Sequence, residues 1–221
     1  MSLNKNGKEN KFDQIRAKQK EKIVHTAFNL LIKESFTKVS MKDIAKKARI
    51  SRQTLYKYFP TIDDIVAEIE ERVGKHALSE VVKQFQSLAS SNGRQAIINM
   101  LKSVFDFGMN YPDETYFATL FDIYNRSRND KERIGSKIIQ RFRESHLGYN
   151  AMAAGMKDGS IRADIDAQLV SALLFNEAIA MTLRFAVVGG VPFPPDASIT
   201  IKSITDQFID IADRDLTPIK K

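Results

Sequence analysis

Apolar residues recur along the chain at the three- and four-residue spacing that is typical of an α-helix. In the first such stretch, Ile23, Ala27, Leu30 and Leu31 fall on one helical face. Comparable stretches lie at residues 62–73, 97–108, 116–124, 134–156, 167–187 and 197–211. Glycine and proline are scarce and concentrate at a few points between these stretches. The pattern therefore predicts a series of helices joined by short connections.

Residues that favour helix ends support this interpretation. Thr61 and Asp64 have the spacing of a capping box. The helix that runs over residues 134–156 is expected to stop near Gly159, which is a favourable C-cap. The period-two alternation of a strand is missing, since the nearest candidate, residues 161–165, is short and suits a turn. We therefore predict an all-α fold.

The last two predicted helices differ in character from the others. Residues 167–187 carry small and aliphatic side chains on more than one face. After a Gly/Pro-rich loop, Ala197, Ile201, Ile204, Phe208 and Ile211 form the seam of a helix that packs in a bundle. A helix with several apolar faces needs burial on several faces, within its own chain or against a second copy. The periodicity leaves both arrangements open.

Residues 39–60 predict two short helices joined by a tight connection. Ser40, with Asp43 three residues later, suits the N-cap of a helix over residues 41–48. Ser51 suits the cap of a second helix that ends near Phe59 and Pro60. This layout is typical of a helix-turn-helix. The outward face of its second helix is polar and comprises Arg52, Gln53, Thr54, Lys57 and Tyr58.

The charge of the chain is concentrated in this region. Residues 1–60 contain 15 Lys and Arg against 5 Asp and Glu, whereas the rest of the chain carries a net charge of −3. Such an asymmetry indicates a polyanion partner, either a nucleic acid or an anionic membrane surface. A basic arm that is merely solvated would give the same charge. The polar helix face decides between these alternatives.

The polar helix face has the chemistry of a DNA major-groove reader. Arginine pairs with guanine, glutamine pairs with adenine, and a threonine methyl group contacts a thymine methyl group. Other side chains nearby suit phosphate contacts, which fix the register of the protein on the duplex. These phosphate-contact candidates are Ser40, Lys42, Lys46, Lys47 and the hydroxyl of Tyr56.

Residues 20–71 closely resemble the DNA-binding domain of TetR-type bacterial transcriptional regulators. The matching residues are Ile23, Ala27, Phe36, Val39, Ser40, Met41, Ile44, Ala45, Ile50, Ser51, Thr54, Leu55, Tyr56, Tyr58, Phe59, Asp64 and Ile65. The resemblance implies a homodimer that pairs through its last two helices. It also implies a ligand pocket between the middle helices.

Three positions depart from the family pattern. Ser35 stands where the family usually has glycine before the aromatic residue at the end of the first helix. Arg49 stands where the family usually has glycine in the turn before the recognition helix, and a side chain at that turn is strained if φ is positive. Ile62 stands where the family often has a phosphate-binding lysine. One phosphate contact is therefore in doubt, whereas the fold is unaffected.

These observations divide the chain into three predicted parts. Residues 1–19 form a basic flexible arm, which either adds phosphate or minor-groove contacts or stays disordered. Residues 20–66 form a three-helix, helix-turn-helix DNA-binding domain. Residues 67–221 form a larger helical domain for ligand binding and dimerisation.

The middle helices are rich in aromatic residues and methionine. Such a lining suits an apolar or amphipathic small molecule, although each residue alone is explained at least as well by core packing. The candidate ligand-binding residues are Phe105, Met109, Phe117, Phe121, Tyr124, Tyr149, Met152 and Phe175. The sequence names no effector.

No combination of residues favours catalysis. The chain has no cysteine, and its histidines, His25, His76 and His146, lack the spacing of metal ligands. Asp164 and Asp166 suit a turn before a helix better than an acid–base pair. We therefore expect no catalytic residue, no metal and no cofactor.

The sequence predicts a sequence-specific DNA-binding regulator, a homodimeric repressor of a near-palindromic operator that responds to a small-molecule effector. Activation in place of repression stays open. The rival hypothesis is a helical small-molecule binding or interaction module that has lost specific DNA recognition. No signal peptide or membrane span is expected, which favours a cytoplasmic protein.

Overall fold

The computed structural model describes residues 5–88, 90–128, 140–141, 144–193, 196 and 198–219. Within these ranges the chain is helical and contains no strand, so the all-α prediction is confirmed. The helices are α1 (Lys5–Glu34), α2 (Met41–Ala48), α3 (Arg52–Tyr58), α4 (Ile62–Ser87), α5 (Gly93–Asn110), α6 (Pro112–Arg126), α7 (Leu147–Asp158), α8 (Ala167–Val188) and α9 (Ile201–Leu216).

Helix ends follow the capping residues of the sequence. The backbone N–H of Asp64 donates to the Thr61 hydroxyl at 3.2 Å, and that of Thr61 donates to the Asp64 carboxylate at 2.9 Å. Helix α7 ends at the predicted Gly159, whose φ is 78°. Asp166 caps α8, and Asp164 pairs with Arg162, so both aspartates have structural partners. Ile134, Ile138 and Phe142, which were expected on the same helix as α7, lie outside the described residues.

The N-terminal segment is helical where the sequence analysis expects a flexible arm. Helix α1 begins at Lys5 and runs without interruption through residue 34. The physical reason is intrinsic propensity, because residues 8–22 lack proline and glycine and are rich in Lys, Arg, Gln, Glu and Ala. The side chains of residues 12–18 are all exposed. Because this stretch buries no apolar face, it lacks the periodicity by which the other helices were found.

The structure divides into two compact units. The N-terminal unit contains residues 1–72 and 120–135, and the C-terminal unit contains residues 73–119 and 136–221. The N-terminal unit is thus larger than the predicted DNA-binding domain of residues 20–66. It takes in the start of α4 and the end of α6.

The core of the N-terminal unit joins its first helices. Ile23, Leu31, Ile44 and Leu55 are fully buried, and they come from α1, α2 and α3. Burial of a side chain of this size stabilises a fold by about 1.5–3 kcal/mol. These residues therefore fix α2 and α3 against α1.

The core of the C-terminal unit is built around α5. The buried residues Ile97, Leu101 and Phe105 of α5 pack in one cluster with residues of α7, α8 and α9. A Cβ atom on Gly93 would lie 2.0 Å from the backbone nitrogen of Gly155, so glycine is required where α5 and α7 approach each other. The N–H of Gly93 also donates to the Asp158 carboxylate at 2.8 Å.

Among the described helices, α8 alone is long and apolar enough to cross a membrane by length and composition. A core or interface helix of a soluble protein passes the same test. Only 22% of its most apolar window is buried within the chain. Its apolar surface therefore needs a separate explanation.

Candidate nucleic-acid interface

Helix α2 begins with a complete capping box. The side chain of Ser40 accepts from the N–H of Asp43 at 3.4 Å, and the Asp43 carboxylate accepts from the N–H of Ser40 at 3.1 Å. The hydroxyl of Ser40 also donates to that carboxylate, and this hydrogen bond lowers the pKa of Asp43. Ser40 was predicted to be a phosphate contact, and here its hydroxyl already serves as the helix cap.

The connection between α2 and α3 requires a left-handed backbone. Arg49 has φ 55° and ψ 49°, and the N–H of Ile50 closes the turn by donating to the carbonyl of Ala45 at 3.0 Å. Ser35, which follows α1, has φ 81°. Both departures from the family's glycines therefore fall where only glycine is unstrained. The strain expected at Arg49 therefore applies, and the structure adds Ser35 as a second strained position.

Helix α3 is anchored by its buried residues and its cap. Leu55 is fully buried and Phe59 nearly so, while Ser51 accepts from the N–H of Thr54 at 3.0 Å. The hydroxyls of Ser51 and Thr54 also lie 2.8 Å apart. The Thr54 hydroxyl is thus committed to the cap, which leaves its methyl group as its free contact surface.

The remaining side chains of α3 point outward. Arg52, Gln53, Tyr56 and Lys57 are exposed, and Tyr58 is half-buried. Within the described part of the chain, none of these five side chains has a hydrogen-bond or ion-pair partner. The exposed Lys42 of α2 has none either. The structure therefore brings the predicted DNA-contact residues together at two short adjacent helices, and apart from the cap residues Ser40 and Thr54 their side-chain donors have no partner among the described residues.

Other charged groups of the N-terminal unit are paired. Lys20 of α1 donates to the Glu68 carboxylate of α4 at 2.7 Å, and Arg72 donates to the same carboxylate at 2.9 Å. Arg72 also pairs with Glu21. Burial raises the pKa of Glu68, but these hydrogen bonds outweigh it, so the pKa is lowered. The unpaired cations of α3 thus contrast with those that tie α1 to α4.

Tyr124 was predicted to line a ligand pocket, and the structure shows a different environment. Its hydroxyl donates to the carboxylate of Asp63 in the first turn of α4. Arg128 donates to the same carboxylate and, at 3.0 Å, to the Tyr124 hydroxyl. Burial and the Asp63 hydrogen bond raise the pKa of Tyr124 to about 12. These tertiary contacts, which local sequence does not reveal, belong to the N-terminal unit, and a role of Tyr124 in ligand binding stays a prediction.

The other ligand-binding candidates lie in different environments within the described residues. Phe117, Phe121 and Met152 are fully buried in the core, Tyr149 is exposed, and Phe175 packs against the core of the C-terminal unit. Phe105 and Met109 line one cavity of about 260 Å³ between the ends of α5, α8 and α9. Its other lining residues include Phe185, and also Thr182 and Thr205, which sequence reasoning missed. Core packing therefore accounts for most of the aromatic residues in the middle helices.

No described group of three or more His, Asp or Glu side chains could hold a metal ion. His76, one of the three histidines, hydrogen-bonds to the Glu114 carboxylate at 2.8 Å through Nδ1. Its ring also packs edge-on against Tyr111, with the centroids 4.6 Å apart. These contacts hold His76 against α6 and the end of α5.

Comparison with known proteins agrees with this geometry. Residues 23–69 match the family model described as bacterial regulatory proteins, tetR family. The HTH-type transcriptional repressor KstR2 of Rhodococcus jostii (strain RHA1) is 24% identical over 202 residues, which cover 87% of this chain and 88% of that protein. The HTH-type transcriptional regulator LuxR of Vibrio harveyi is 31% identical over 75 residues, 34% of this chain and 33% of LuxR.

Solved structures show the same fold at low sequence identity. The ketosteroid transcriptional regulator KstR2 of Mycobacterium tuberculosis matches with a TM-score of 0.64 and 16% identity, covering 91% of this chain and 95% of that one. The MbdR regulator from Azoarcus sp. CIB matches with a TM-score of 0.68 and 18% identity, covering 90% of this chain and 98% of that one. The likeness therefore extends through both units.

Proposed function

The chain belongs to the TetR family of DNA-binding transcriptional regulators, and we propose that it acts as a homodimeric repressor whose hold on its operator is released by a small molecule. One observation carries the proposal. The donors of α3 have no partner within the described residues, although the fold fixes the helix on which they stand. Because these exposed donors hydrogen-bond to water in the free protein, they do not destabilise the fold. They are available to DNA bases and phosphates.

The proposed contacts follow from the chemistry of each side chain. Arg52 and Gln53 supply the bidentate donors that suit guanine and adenine in the major groove. The Thr54 methyl group suits a thymine, since its hydroxyl is used by the cap. Lys57 and Tyr58 complete the reading face, whereas Lys42, Tyr56 and the start of α2 at Ser40 suit phosphates.

The exposed surface of α8 supports dimerisation. Leu169 and Leu173 are 67% and 55% exposed, and Ala172, Ala180 and Val187 continue the same helical stripe. On α9, Ile211 is also exposed. This largely apolar surface, which is interrupted by the exposed Asn176, Glu177 and Arg184, suits an interaction site, and a second copy with the same surface would cover it. We assign α8 and α9 to a dimer interface, and this also explains why α8 is so apolar.

The cavity near Phe105 and Met109 is the proposed effector site. No charged side chain is among its lining residues, and the hydroxyls of Thr182 and Thr205 donate to the carbonyls of Ala178 and Lys202. An apolar or amphipathic molecule suits such a lining. Release from DNA requires that this molecule bind the DNA-free conformation more tightly.

The N-terminal part of α1 adds a second basic element. The segment of residues 1–18 contains five Lys and Arg against two Asp and Glu. A helix is too wide for the minor groove of about 6 Å, so we propose that this extension contacts flanking phosphates. Binding to chromosomal DNA implies action in the cytoplasm.

The test is selection of a preferred duplex from a random library, followed by anisotropy titration of that duplex and a base-scrambled control at two salt concentrations. We expect a preference of about a thousandfold or more, with affinity that falls as salt rises. Equal, salt-sensitive binding to both duplexes would favour the alternative, a helical ligand-binding or interaction module without specific DNA recognition.

A further inference from the structure

A cluster of three side chains lies close to the helix-turn-helix without belonging to its outer face. It consists of Asp63 in the first turn of α4, Tyr124 near the end of α6, and Arg128 two residues after α6. All three belong to the N-terminal unit. We refer to them as the Asp63 cluster.

The Asp63 cluster is a closed triangle of hydrogen bonds. The Tyr124 hydroxyl donates to Oδ1 of Asp63, Nη2 of Arg128 donates to Oδ2, and Nη1 of Arg128 donates to the Tyr124 hydroxyl at 3.0 Å. The side chains of Arg128 and Asp63 are 23% and 31% exposed. Because the charges are partly shielded from water and satisfied by each other, the geometry of the triangle is strongly specified.

The ring of Tyr124 extends the cluster to a second segment. The centroids of the Tyr124 and Phe36 rings lie 5.0 Å apart. The guanidinium carbon of Arg128 lies 5.3 Å from the centroid of the Tyr124 ring. Phe36 is buried in the connection between α1 and α2. The ring is thus in contact with a residue that stands four positions before the Ser40 cap.

Asp63 and Phe36 lie on opposite sides of α2 and α3 in the chain. The connection that contains Phe36 precedes α2 in the chain. Residues 59–61 follow α3 and lead directly into the first turn of α4, which contains Asp63. The cluster therefore contacts the chain on both sides of the two DNA-reading helices, although none of its members lies on their outer face.

We infer that Asp63, Tyr124 and Arg128 are positioning residues, which hold α2 and α3 in the orientation that DNA reading requires while contacting no DNA themselves. The inference rests on the proposed function. Bidentate base contacts tolerate little misplacement of the side chains that make them. Greater mobility of the segments before α2 and after α3 therefore lowers the affinity for a specific DNA sequence. Phosphate contacts made by long side chains depend less on that orientation.

The test compares Tyr124→Phe and Arg128→Met with the wild-type chain. Tyr124→Phe keeps the ring beside Phe36 and removes only the hydroxyl. Arg126→Met is the matched control, because Arg126 is exposed on the same helix end and has no partner among the described residues. Arg128→Lys, which keeps the charge, is the conservative variant. Each protein is titrated against the selected and scrambled duplexes, and its thermal midpoint is measured.

We expect Tyr124→Phe and Arg128→Met to bind the selected duplex about tenfold more weakly, which corresponds to about 1.4 kcal/mol. Binding to the scrambled duplex should stay unchanged. Arg128→Lys should recover part of the loss, and Arg126→Met should match the wild type. A lower thermal midpoint with an unchanged preference for the selected duplex would mean a structural role only and would overturn the inference.

Amide hydrogen exchange of residues 52–59 in the free protein gives a readout that needs no DNA. We expect faster exchange there in Tyr124→Phe and Arg128→Met, and wild-type exchange in Arg126→Met. Unchanged exchange in the first two variants would overturn the inference. A wild-type chain that shows no preference between duplexes would refute the proposed function instead, and the exchange pattern distinguishes the two failures.

Discussion

Helices α3 and α8, which belong to different units of this protein, leave different kinds of side chain uncovered. The N-terminal unit presents unpaired polar and cationic groups on α3, whereas the C-terminal unit presents Leu169 and Leu173 on α8. Polar donors without protein partners suit a hydrated polyanion, and an apolar stripe suits another apolar surface. The difference supports the proposal that each unit has a separate partner, DNA for the first and a second copy for the other.

The units also differ in how they end their helices. In the C-terminal unit, the left-handed residues after α7 and α8 are Gly159 and Gly189. In the N-terminal unit, the left-handed residues after α1 and α2 are Ser35 and Arg49. The part of the chain that reads DNA therefore contains backbone strain at two connections, where glycine would remove it.

The largest expected effect concerns the apolar stripe. Leu173→Glu places a charge in the proposed dimer interface, and we expect the dimer dissociation constant to rise about a hundredfold or more. Sedimentation equilibrium measures this change. Ile123→Glu is the control, because Ile123 is 63% exposed on α6 in the other unit. An unchanged dimer in Leu173→Glu would contradict the assignment of α8.

Removing one donor from the reading face is expected to have the next largest effect. Arg52→Ala should weaken binding to the selected duplex by about 1–3 kcal/mol and relax the base preference at one position. Competition titrations with single-base variants of the duplex measure both. Lys157→Ala, which removes an exposed cation from the C-terminal unit, should change neither. Intact affinity in Arg52→Ala and in Tyr58→Ala would refute the assignment of α3.

Deletion of residues 1–18 tests whether the helical extension binds DNA without reading it. We expect the affinity for selected and scrambled duplexes to fall by the same factor, and the slope of log K against log salt to decrease by about 2. The preference between the duplexes should persist. A loss confined to the selected duplex would mean that the extension reads bases.

Replacement of Arg49 tests the strain at the turn. Arg49→Gly should stabilise the protein by at most about 1 kcal/mol, because relief of the positive φ is partly offset by the entropy of glycine in the unfolded chain. Thermal denaturation measures it. Arg49→Ala keeps the strained backbone and lacks the guanidinium, so it should show no gain. Equal stability in all three proteins would mean that this turn holds little strain.

The last expected effect is a pH dependence from Tyr124, a dependence that has no influence on stability near neutral pH. Its folded pKa of about 12 lies above the usual value of 10, so the native state holds the proton more tightly than the unfolded chain. Stability from this group is complete below pH 10 and is lost as pH rises towards 12. Between these values the thermal midpoint of the wild type should fall more steeply than that of Tyr124→Phe. Parallel curves would show that the phenol is not held neutral.

The amino-acid sequence determined the helices, their caps and the outer face of α3. These features depend on residues three or four positions apart, as in the pairs Ser40–Asp43 and Thr61–Asp64, and such pairs are visible without a fold. The helical extension at Lys5 was also encoded locally. The apolar pattern did not predict this extension, because its polar residues favour a helix without placing apolar residues at helical spacing.

Only the tertiary structure decided the roles of Tyr124, Asp63 and the cavity residues. Tyr124 is 61 positions from Asp63, and Thr182 reaches the cavity beside Phe105 from a different helix. An aromatic residue on an apolar helix face has the same local pattern whether it packs in a core, lines a cavity or donates to a distant carboxylate. Long-range packing chooses among these roles, and no short-range pattern in the sequence reports that choice.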